Sequence, residues 1–205
     1  MTAARVAAAE CPDVPRPAGR PRDAVLDAAI LDATLSVIAE RGYQALTMAA
    51  VAERAGASKP ALYRRHDSKE RLVMAALARI ADGPDPDLPD ETRAALTLLL
   101  SETARAVGTP GGLTIMGSLL AQESRDPALL AAFRLAIVEP RHRVVEAVLR
   151  RGIDRGEIAA DVDLDAVDAM LFGAVLARAT LGLPLDGTWA ERVVAVAWRA
   201  MRPTP

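Results

Sequence analysis

Cysteine and aromatic residues are scarce in this chain. Cys11 is the single cysteine among 205 residues, so no disulfide can join two parts of the chain, and a reducing compartment fits. Phenylalanine, tryptophan and tyrosine together make up 3% of the residues, while alanine, valine and leucine dominate. Because strands favour aromatic and β-branched residues and need frequent turns, this composition predicts an all-α fold.

Long hydrophobic runs are also missing. The opening residues MTAARVAAAE lack the apolar core of a secretory signal. The most apolar later stretch, MLFGAVLARATLGL, is broken by Arg178 and is too short to span a bilayer. We therefore expect a soluble cytoplasmic protein that has no membrane partner.

Neither sign of charge is in large excess. The net charge is −2, so no strong overall field points to nucleic acid or to a membrane. The distribution is uneven, however. Residues 1–80 carry 12 Lys and Arg against 9 Asp and Glu, and the remaining residues carry 13 against 18. A mildly basic first part is thus followed by an acidic second part.

Catalytic and cofactor-binding motifs are absent from the sequence. There is no Ser/His/Asp set with a nucleophile elbow, no GxGxxG after a strand and no GxxxxGK[ST]. The two histidines, His66 and His142, are isolated, so we expect no metal site and no cofactor. A small helical enzyme or binding protein with an incidental basic head remains the alternative from another class, and these absences argue against it.

Proline and glycine divide the chain into three parts. Residues 1–21 are rich in proline and predict a disordered basic arm. Residues 22–82 show helical periodicity and predict a compact helical head. After the proline-rich linker DGPDPDLPD, residues 90–202 predict a larger helical body.

Helix signals recur within the head and the body. Thr47, Ser58 and Ser68 are suited to cap helices, which divides the head into four short helices, three of them forming a helix-turn-helix unit. The first helix should stop at Gly42. In the body, a long helix capped by Asp126 should be kinked by Pro140.

The stretch AERAGASKPALYRRHDSKERL, from Ala52 to Leu72, has the features of a helix-turn-helix. Gly56 can supply the positive φ of the turn, and the small Ala52 lets the helices approach closely. The second helix of such a unit enters the major groove, where lysine and arginine suit base edges and phosphates. The residues predicted on this basis to bind double-stranded DNA are Ser58, Lys59, Pro60, Ala61, Tyr63, Arg64 and Arg65. The alternative is a solvated basic face on an ordinary helical hairpin.

The longer stretch ERGYQALTMAAVAERAGASKPALYRRHDSKERLV resembles the DNA-binding domain of the TetR family of transcriptional regulators, and the resemblance extends over about residues 22–80. The later chain resembles the family in its plan, with RGIDRGEI followed by two C-terminal helices. The resemblance implies a homodimer that represses from a palindromic operator and is released by a small-molecule effector. It also implies that Thr47, Lys59, Tyr63, Arg65 and Lys69 touch the DNA backbone or its edge. An activator, or a regulator without a small-molecule effector, remains open.

The chain departs from the family pattern at His66, and its N-terminal arm carries a separate signal for DNA binding. Where the family usually places Phe or Trp after LYRR, this chain has His66, which we expect to pack as a neutral ring. In the arm, Arg20 and Arg22 belong to RPAGRPR, and an extended arginine-rich segment suits a narrow minor groove. The alternative for the arm is a tail that only aids solubility.

In the body, one set of residues is predicted to bind an effector and another to form a dimer interface. An apolar or amphipathic effector would contact Leu99, Met116, Leu120, Phe133, Ile137 and Phe172, with Glu139, Arg141 and His142 at its polar end. The alternative is that these residues are plain core or a solvated helix face. The dimer interface is predicted to comprise Val167, Leu171, Val175, Arg178, Val193, Val194, Ala197 and Met201. The alternative there is that these faces pack within one chain.

Overall fold

The computed structural model describes residues 21–81 and 87–203, and within these ranges the chain is all-helical. The head contains four α-helices: α1 (Pro21–Ala45), α2 (Met48–Arg54), α3 (Lys59–Tyr63) and α4 (Lys69–Ala81). The body contains α5 (Thr92–Gly108), α6 (Gly112–Leu120), α7 (Pro127–Phe133), a π-helical turn (Arg134–Val138), α8 (Glu139–Asp154), α9 (Leu164–Thr180) and α10 (Gly187–Met201). The predicted all-α fold is confirmed.

Side-chain caps explain where most of these helices begin. Thr47 accepts a hydrogen bond from the backbone N–H of Ala50 at 3.1 Å, and Ser58 accepts one from Ala61 at 3.3 Å. Ser68 and Asp126 cap α4 and α7 in the same way. These caps are the ones that the sequence predicts.

The first helix does not stop where Gly42 predicts. Gly42 has φ 75° and ψ 165°, which interrupts the helical backbone, and helical residues continue beyond it to Ala45. A β-carbon at this φ would be strained, so glycine is suited to the position. The short segment after Gly42 carries Tyr43, which is buried in the head.

The long helix predicted from Asp126 is three consecutive segments. After α7, the five residues Arg134–Val138 form a π-helical turn, and α8 begins at once at Glu139. Pro140 has no N–H to donate, so one backbone hydrogen bond of a regular α-helix cannot form here. The wider turn directly before it is the irregularity that the sequence predicts only as a kink.

Two hydrophobic clusters stabilise the chain, and one of them crosses the boundary between head and body. The body cluster packs α5, α8, α9 and α10 together. The head cluster combines buried residues of α1 to α4 with four residues of the body: Leu119, Leu129, Leu130 and Phe133. The head cluster therefore contains residues from both sides of the linker, of which residues 82–86 lie outside the described ranges.

Helix α6 forms the closest link between body and head. It packs along α1, where Gly111 at its start lies against Ala39. At its other end, Gln44 donates a hydrogen bond to the side chain of the buried Gln122 at 2.8 Å. Within the described ranges, no helix is long and apolar enough to cross a membrane.

Candidate nucleic-acid interface and effector cavity

The turn between α2 and α3 has the geometry that the sequence predicts. Gly56 has φ 63°, and the N–H of Ala57 donates to the carbonyl of Ala52 at 2.9 Å. Ala52 and Leu62 are buried where the two helices meet. Because the apolar side of α3 is fixed in this way, its opposite side is held out toward solvent.

The exposed side of α3 carries most of the predicted DNA-binding residues. Tyr63 is 51% exposed, an unusual position for so large a ring, and Ala61 is half-buried. The remaining exposed members of the predicted set are Thr47, Ser58, Lys59, Pro60 and Arg64. Apart from Pro60, these exposed side chains are basic or carry a hydroxyl group. The exposed residues from Lys59 to Arg64 are called the recognition surface below.

Arg65 is paired with residues of the head. Its side chain is 15% exposed and forms an ion pair with Asp27 of α1, while its Nη1 donates to the carbonyl of Ala61 at 3.1 Å. The guanidinium thus links the end of α3 to α1. That Arg65 also touches the DNA backbone or its edge stays a prediction.

Lys69 is half-buried against an aromatic ring. Its Nζ lies 4.0 Å from the centroid of the Tyr43 ring and 3.5 Å from the carbonyl oxygen of Gln44. Burial lowers the pKa of Lys69, and burial, followed by the charge of Glu70, raises the pKa of Tyr43 to about 12. Lys69 thus ties the start of α4 to the end of α1.

His66 follows α3 in the chain and is half-buried, and desolvation lowers its pKa. This position is compatible with the neutral ring that the sequence predicts. Of the two arginines predicted in the arm, Arg20 lies outside the described residues, and Arg22 lies in the first turn of α1.

A small cavity lies in the body between α5, α8 and α9. Its volume is about 10 Å³, which is close to the minimum for one water molecule. The lining residues are Leu96, Leu99, Leu100, Thr103, Arg141, Val145, Leu171 and Phe172. Arg141 is the single charged residue among them.

The six residues predicted to line an effector pocket do not lie together. Leu99 and Phe172 line this cavity. Phe133 belongs to the head cluster, and Met116 and Ile137 pack against it. Leu120 is 46% exposed. Helical spacing predicts that a residue faces an apolar core, but it does not show which of the two clusters that residue joins.

A buried carboxylate holds the polar edge of the cavity. Asp168 is 5% exposed, and its two oxygens face the Nη1 and Nη2 atoms of Arg141 at 2.8 and 2.9 Å. The Arg141 guanidinium also lies 4.8 Å from the centroid of the Phe172 ring. The Nδ1 atom of His142 lies 2.8 Å from the same carboxylate. Glu139, in contrast, is exposed.

His142 is half-buried, and a hydrogen bond to Asp168 raises its pKa, with further contributions from the charges of Asp168, Asp165 and Glu146. Sequence reasoning missed Asp168. The available signal was one carboxylate beside Val167 on an otherwise apolar stretch of α9, where a buried charge needs a partner.

A second, more open crevice of about 440 Å³ lies nearer to the head. The ends of α5 and α9, the start of α6 and the loop after α9 line it, and no charged residue is among its lining residues. None of the six predicted effector-binding residues borders it.

The predicted dimer face is occupied within the chain. Val193 and Arg178 are half-buried, and the other members of the predicted set, Val167, Leu171, Val175, Val194, Ala197 and Met201, are buried in the body cluster. These faces pack α9 and α10 against α5. In the single chain these residues pack as the alternative predicts, and they leave little of this face exposed for a second copy.

Another apolar face of α9 and α10 stays exposed. On α9 it follows helical spacing through Ala166, Ala169, Met170, Gly173, Ala177 and the adjoining Leu181, and on α10 it includes Val196 and Ala200. Met170, Leu181 and Val196 are 62%, 71% and 63% exposed. We call this set of residues the outer face.

The head and its exposed α3 define a helix-turn-helix DNA-binding protein, and comparison with known proteins gives its family. Residues 30–76 match the model of bacterial regulatory proteins of the tetR family, and residues 85–197 match the tetracyclin repressor-like C-terminal domain. The chain belongs to the TetR family and is a DNA-binding transcriptional regulator. That family is one of regulators and not of enzymes.

Individual relatives agree with this assignment. The chain is 32% identical over 174 residues to the DNA-binding transcriptional repressor TetR of Mycobacteroides abscessus, which covers 82% of this chain and 88% of that protein. It is 35% identical over 144 residues to the repressor KstR of Mycolicibacterium smegmatis, covering 64% of this chain and 65% of that protein.

Solved structures share the fold. The TetR family regulator SCO0332 has a TM-score of 0.61 and 26% identity, with 87% of this chain and 99% of that chain covered. A TetR regulator from Haloarcula marismortui has a TM-score of 0.67 and 24% identity, with 87% and 98% covered.

Proposed function

We propose that this regulator represses transcription as a homodimer on a two-fold symmetric operator and that a small molecule bound in the body releases it. The observation that carries this proposal is the recognition surface, where Lys59, Tyr63 and Arg64 are exposed on a helix fixed by its buried side. The names of the two repressors with which the chain shares 32% and 35% identity support the direction of regulation.

Operator binding requires two recognition helices at a set distance. Helix α3 has five residues, so one copy reaches few base edges, and useful specificity calls for a pair. In a two-fold dimer the two α3 helices must be about 34–36 Å apart to enter successive major grooves. A change of that separation by a few ångströms would remove one helix from its groove.

The outer face supports pairing through α9 and α10. Its small members, such as Ala169, Gly173 and Ala177, permit close approach of a second helix, and its large members are exposed in the single chain. Exposed apolar area of this kind is costly in water and is removed when a second copy covers it. We infer a four-helix contact in which α9 and α10 of each copy take part.

The packing of the π-helical turn supports a mechanical coupling between the cavity and α3. Arg141, at the polar edge of the cavity, lies shortly after this turn on α8. The turn packs against α4, and α4 follows α3 with one short connection. A ligand that displaces the start of α8 would therefore move α4 and the recognition surface of the same copy. Only the difference in ligand affinity between the two states can drive this change.

Selection of bound sequences from a random duplex pool tests the proposal directly. We expect an enriched site with two-fold symmetry, bound by two copies of the chain, and a footprint that requires a higher protein concentration in Lys59→Ala. Enrichment of a single asymmetric half-site by one copy would contradict the dimer, and the absence of any enrichment would contradict the function. A reporter placed behind the enriched site then distinguishes repression from activation.

A further inference from the structure

We propose that the cavity bordered by Arg141 takes an amphipathic carboxylate, with an apolar tail among the leucines and Phe172, and that binding of this anion is coupled to uptake of a proton by His142. The regulatory meaning of this inference rests on the proposed function, whereas the binding chemistry does not.

The sign of the charge presented to the cavity favours an anion. Arg141 lines the cavity, and Asp168 is not among the lining residues. The Nη1 and Nη2 atoms of Arg141 contact Asp168. A guanidinium has five N–H donors, so the edge that includes Nε–H can pair with a second carboxylate while the contact with Asp168 remains.

The rest of the lining favours an alkyl tail. Leu96, Leu99, Leu100, Val145 and Leu171 are buried and apolar. The hydroxyl of Thr103 already donates to the carbonyl of Leu99 at 2.8 Å, so it does not call for a polar tail. A ligand with a single anionic head and no further polar group therefore matches the lining.

Room for the tail must come from movement, because about 10 Å³ holds no more than a water molecule. The π-helical turn Arg134–Val138 lies just before Arg141, where the α-helical ladder is already interrupted. Displacement of the start of α8 at this turn opens the cavity between α5, α8 and α9. The same displacement acts on α4, which packs against the turn.

Charge balance supplies the coupling to a proton. With His142 neutral, Arg141 and Asp168 cancel, so an added carboxylate leaves one unbalanced negative charge in a poorly solvated site. Protonation of His142, whose Nδ1 lies 2.8 Å from Asp168, restores the balance. The other charged groups that face His142 are Asp165 on α9, with an oxygen 3.4 Å from Nε2, and Glu146 on its own helix. Both are acidic and favour the protonated ring.

The sign of the effect follows from linkage. A bound anion raises the pKa of His142 further, so the liganded protein holds more protons than the free protein near neutral pH. Carboxylate affinity therefore rises as the pH falls through the pKa of His142, by at most about tenfold per pH unit for one proton.

The test uses full-length protein without DNA and three probes with the same tail: octanoate, 1-octanol and octylammonium. Calorimetric titration in two buffers of different ionisation enthalpy gives both the affinity and the number of protons taken up. We expect octanoate to bind more tightly than octanol, octylammonium not to bind, and net proton uptake with octanoate alone.

Variants separate the contribution of the Arg141–Asp168 ion pair from that of His142. In Arg141→Gln combined with Asp168→Asn, which removes both charges and keeps hydrogen-bonding groups, octanoate affinity should fall about tenfold or more while octanol affinity is unchanged. In His142→Gln, octanoate should bind without proton uptake. The exposed Arg143, on the same helix, provides the matched control, and Arg143→Gln should behave as wild type. Thermal melting establishes that each variant is folded.

Three results would overturn the inference: no octanoate binding, equal affinity for octanoate and octanol, or undiminished octanoate affinity in the double variant. Operator binding is measured separately by anisotropy of a labelled duplex. A protein that binds its operator but not octanoate would refute the inference and leave the proposed function standing. A protein that binds octanoate with proton uptake but binds no operator would do the reverse.

Discussion

Gly111 lies so close to Ala39 that a β-carbon added to it would stand 2.3 Å from the Cβ and 2.8 Å from the carbonyl oxygen of Ala39. Its φ of 87° also lies in the left-handed region. This is the point at which the start of α6 meets α1, so the approach of body to head depends on a residue without a side chain.

Gly111→Ala should therefore lower the free energy of unfolding by more than about 1 kcal/mol, since it combines a backbone clash with an unfavourable φ. Gly117 on the same helix is exposed and has no atom within 4 Å of an added β-carbon. Gly117→Ala should instead stabilise by about 0.5–1 kcal/mol, because alanine favours a helix. Urea unfolding of both variants measures the difference. Equal changes in the free energy of unfolding would show that Gly111 does not pack closely against Ala39.

Loss of one contact on the recognition surface should weaken operator binding. We expect Lys59→Ala and Tyr63→Phe each to cost about 1–3 kcal/mol of binding free energy if a specific contact is removed. Arg93 is exposed on α5, far along the chain from α3, and Arg93→Ala serves as a charge-matched control with wild-type affinity. Fluorescence anisotropy with the selected operator measures all three. Wild-type affinity in both folded α3 variants would place the DNA contact elsewhere.

The same substitution should change DNA binding at Arg64 and protein stability at Arg65. Arg64 is exposed, so Arg64→Met should make the slope of log affinity against log salt shallower by about 0.9 if one phosphate contact is lost. Arg65 is paired with Asp27, so Arg65→Met should reduce stability by about 1 kcal/mol and leave the salt slope nearly unchanged. The salt titration and a thermal melt together decide. A shallower slope in Arg65→Met would mean that Arg65 leaves Asp27 to reach DNA.

Charge placed on the outer face should separate a dimer without unfolding the chain. Met170 and Val196 are exposed in the single chain, so Met170→Glu combined with Val196→Glu should yield a folded monomer by light scattering. Ala147 is exposed on α8 outside this face, and Ala147→Glu should remain dimeric. A double variant that stays dimeric would place the interface elsewhere. Leu171→Glu, by contrast, buries a charge in the body cluster and should unfold the chain.

Stability should depend on pH through His142. Its pKa in the folded chain is raised above the ordinary value for histidine, so its contribution is complete below that ordinary value and is lost as pH rises through the folded pKa. The melting temperature of wild type relative to His142→Gln should therefore fall as the pH rises above about 6.5, the ordinary pKa of histidine. Comparing the two proteins cancels the opposite contribution of His66, whose pKa is lowered. A difference in melting temperature that does not change with pH would indicate that the contact with Asp168 does not raise the pKa of His142.

Local signals predicted the head well because the determinants are close in sequence. The caps at Thr47, Ser58 and Ser68 each satisfy a backbone N–H three residues ahead, and the turn at Gly56 needs a positive φ that glycine adopts freely. Each of these choices is made within one turn of helix. The fold class and the position of the recognition surface follow from them.

Choices between two distant partners were not predictable in the same way. Helix α9 is apolar on the side of Leu171 and also on the side of Met170, and only the packing of α5 determines which side is buried. Arg65 and Asp27 are 38 residues apart, so no local pattern could assign their pairing. The carboxylate of Asp168 similarly acquires its role only when α8 lies beside α9.

The head cluster limits how this regulator can be recombined with others. An engineer who exchanges DNA-binding specificities would cut the chain at the proline-rich linker, because the sequence indicates a domain boundary there. Such a cut divides a single apolar core, since Leu119, Leu129, Leu130 and Phe133 pack with residues of α1 to α4. A transplanted head would meet foreign side chains at these four positions and would leave voids or clashes there. A chimera that keeps its head intact has to carry α6 and α7 along with it.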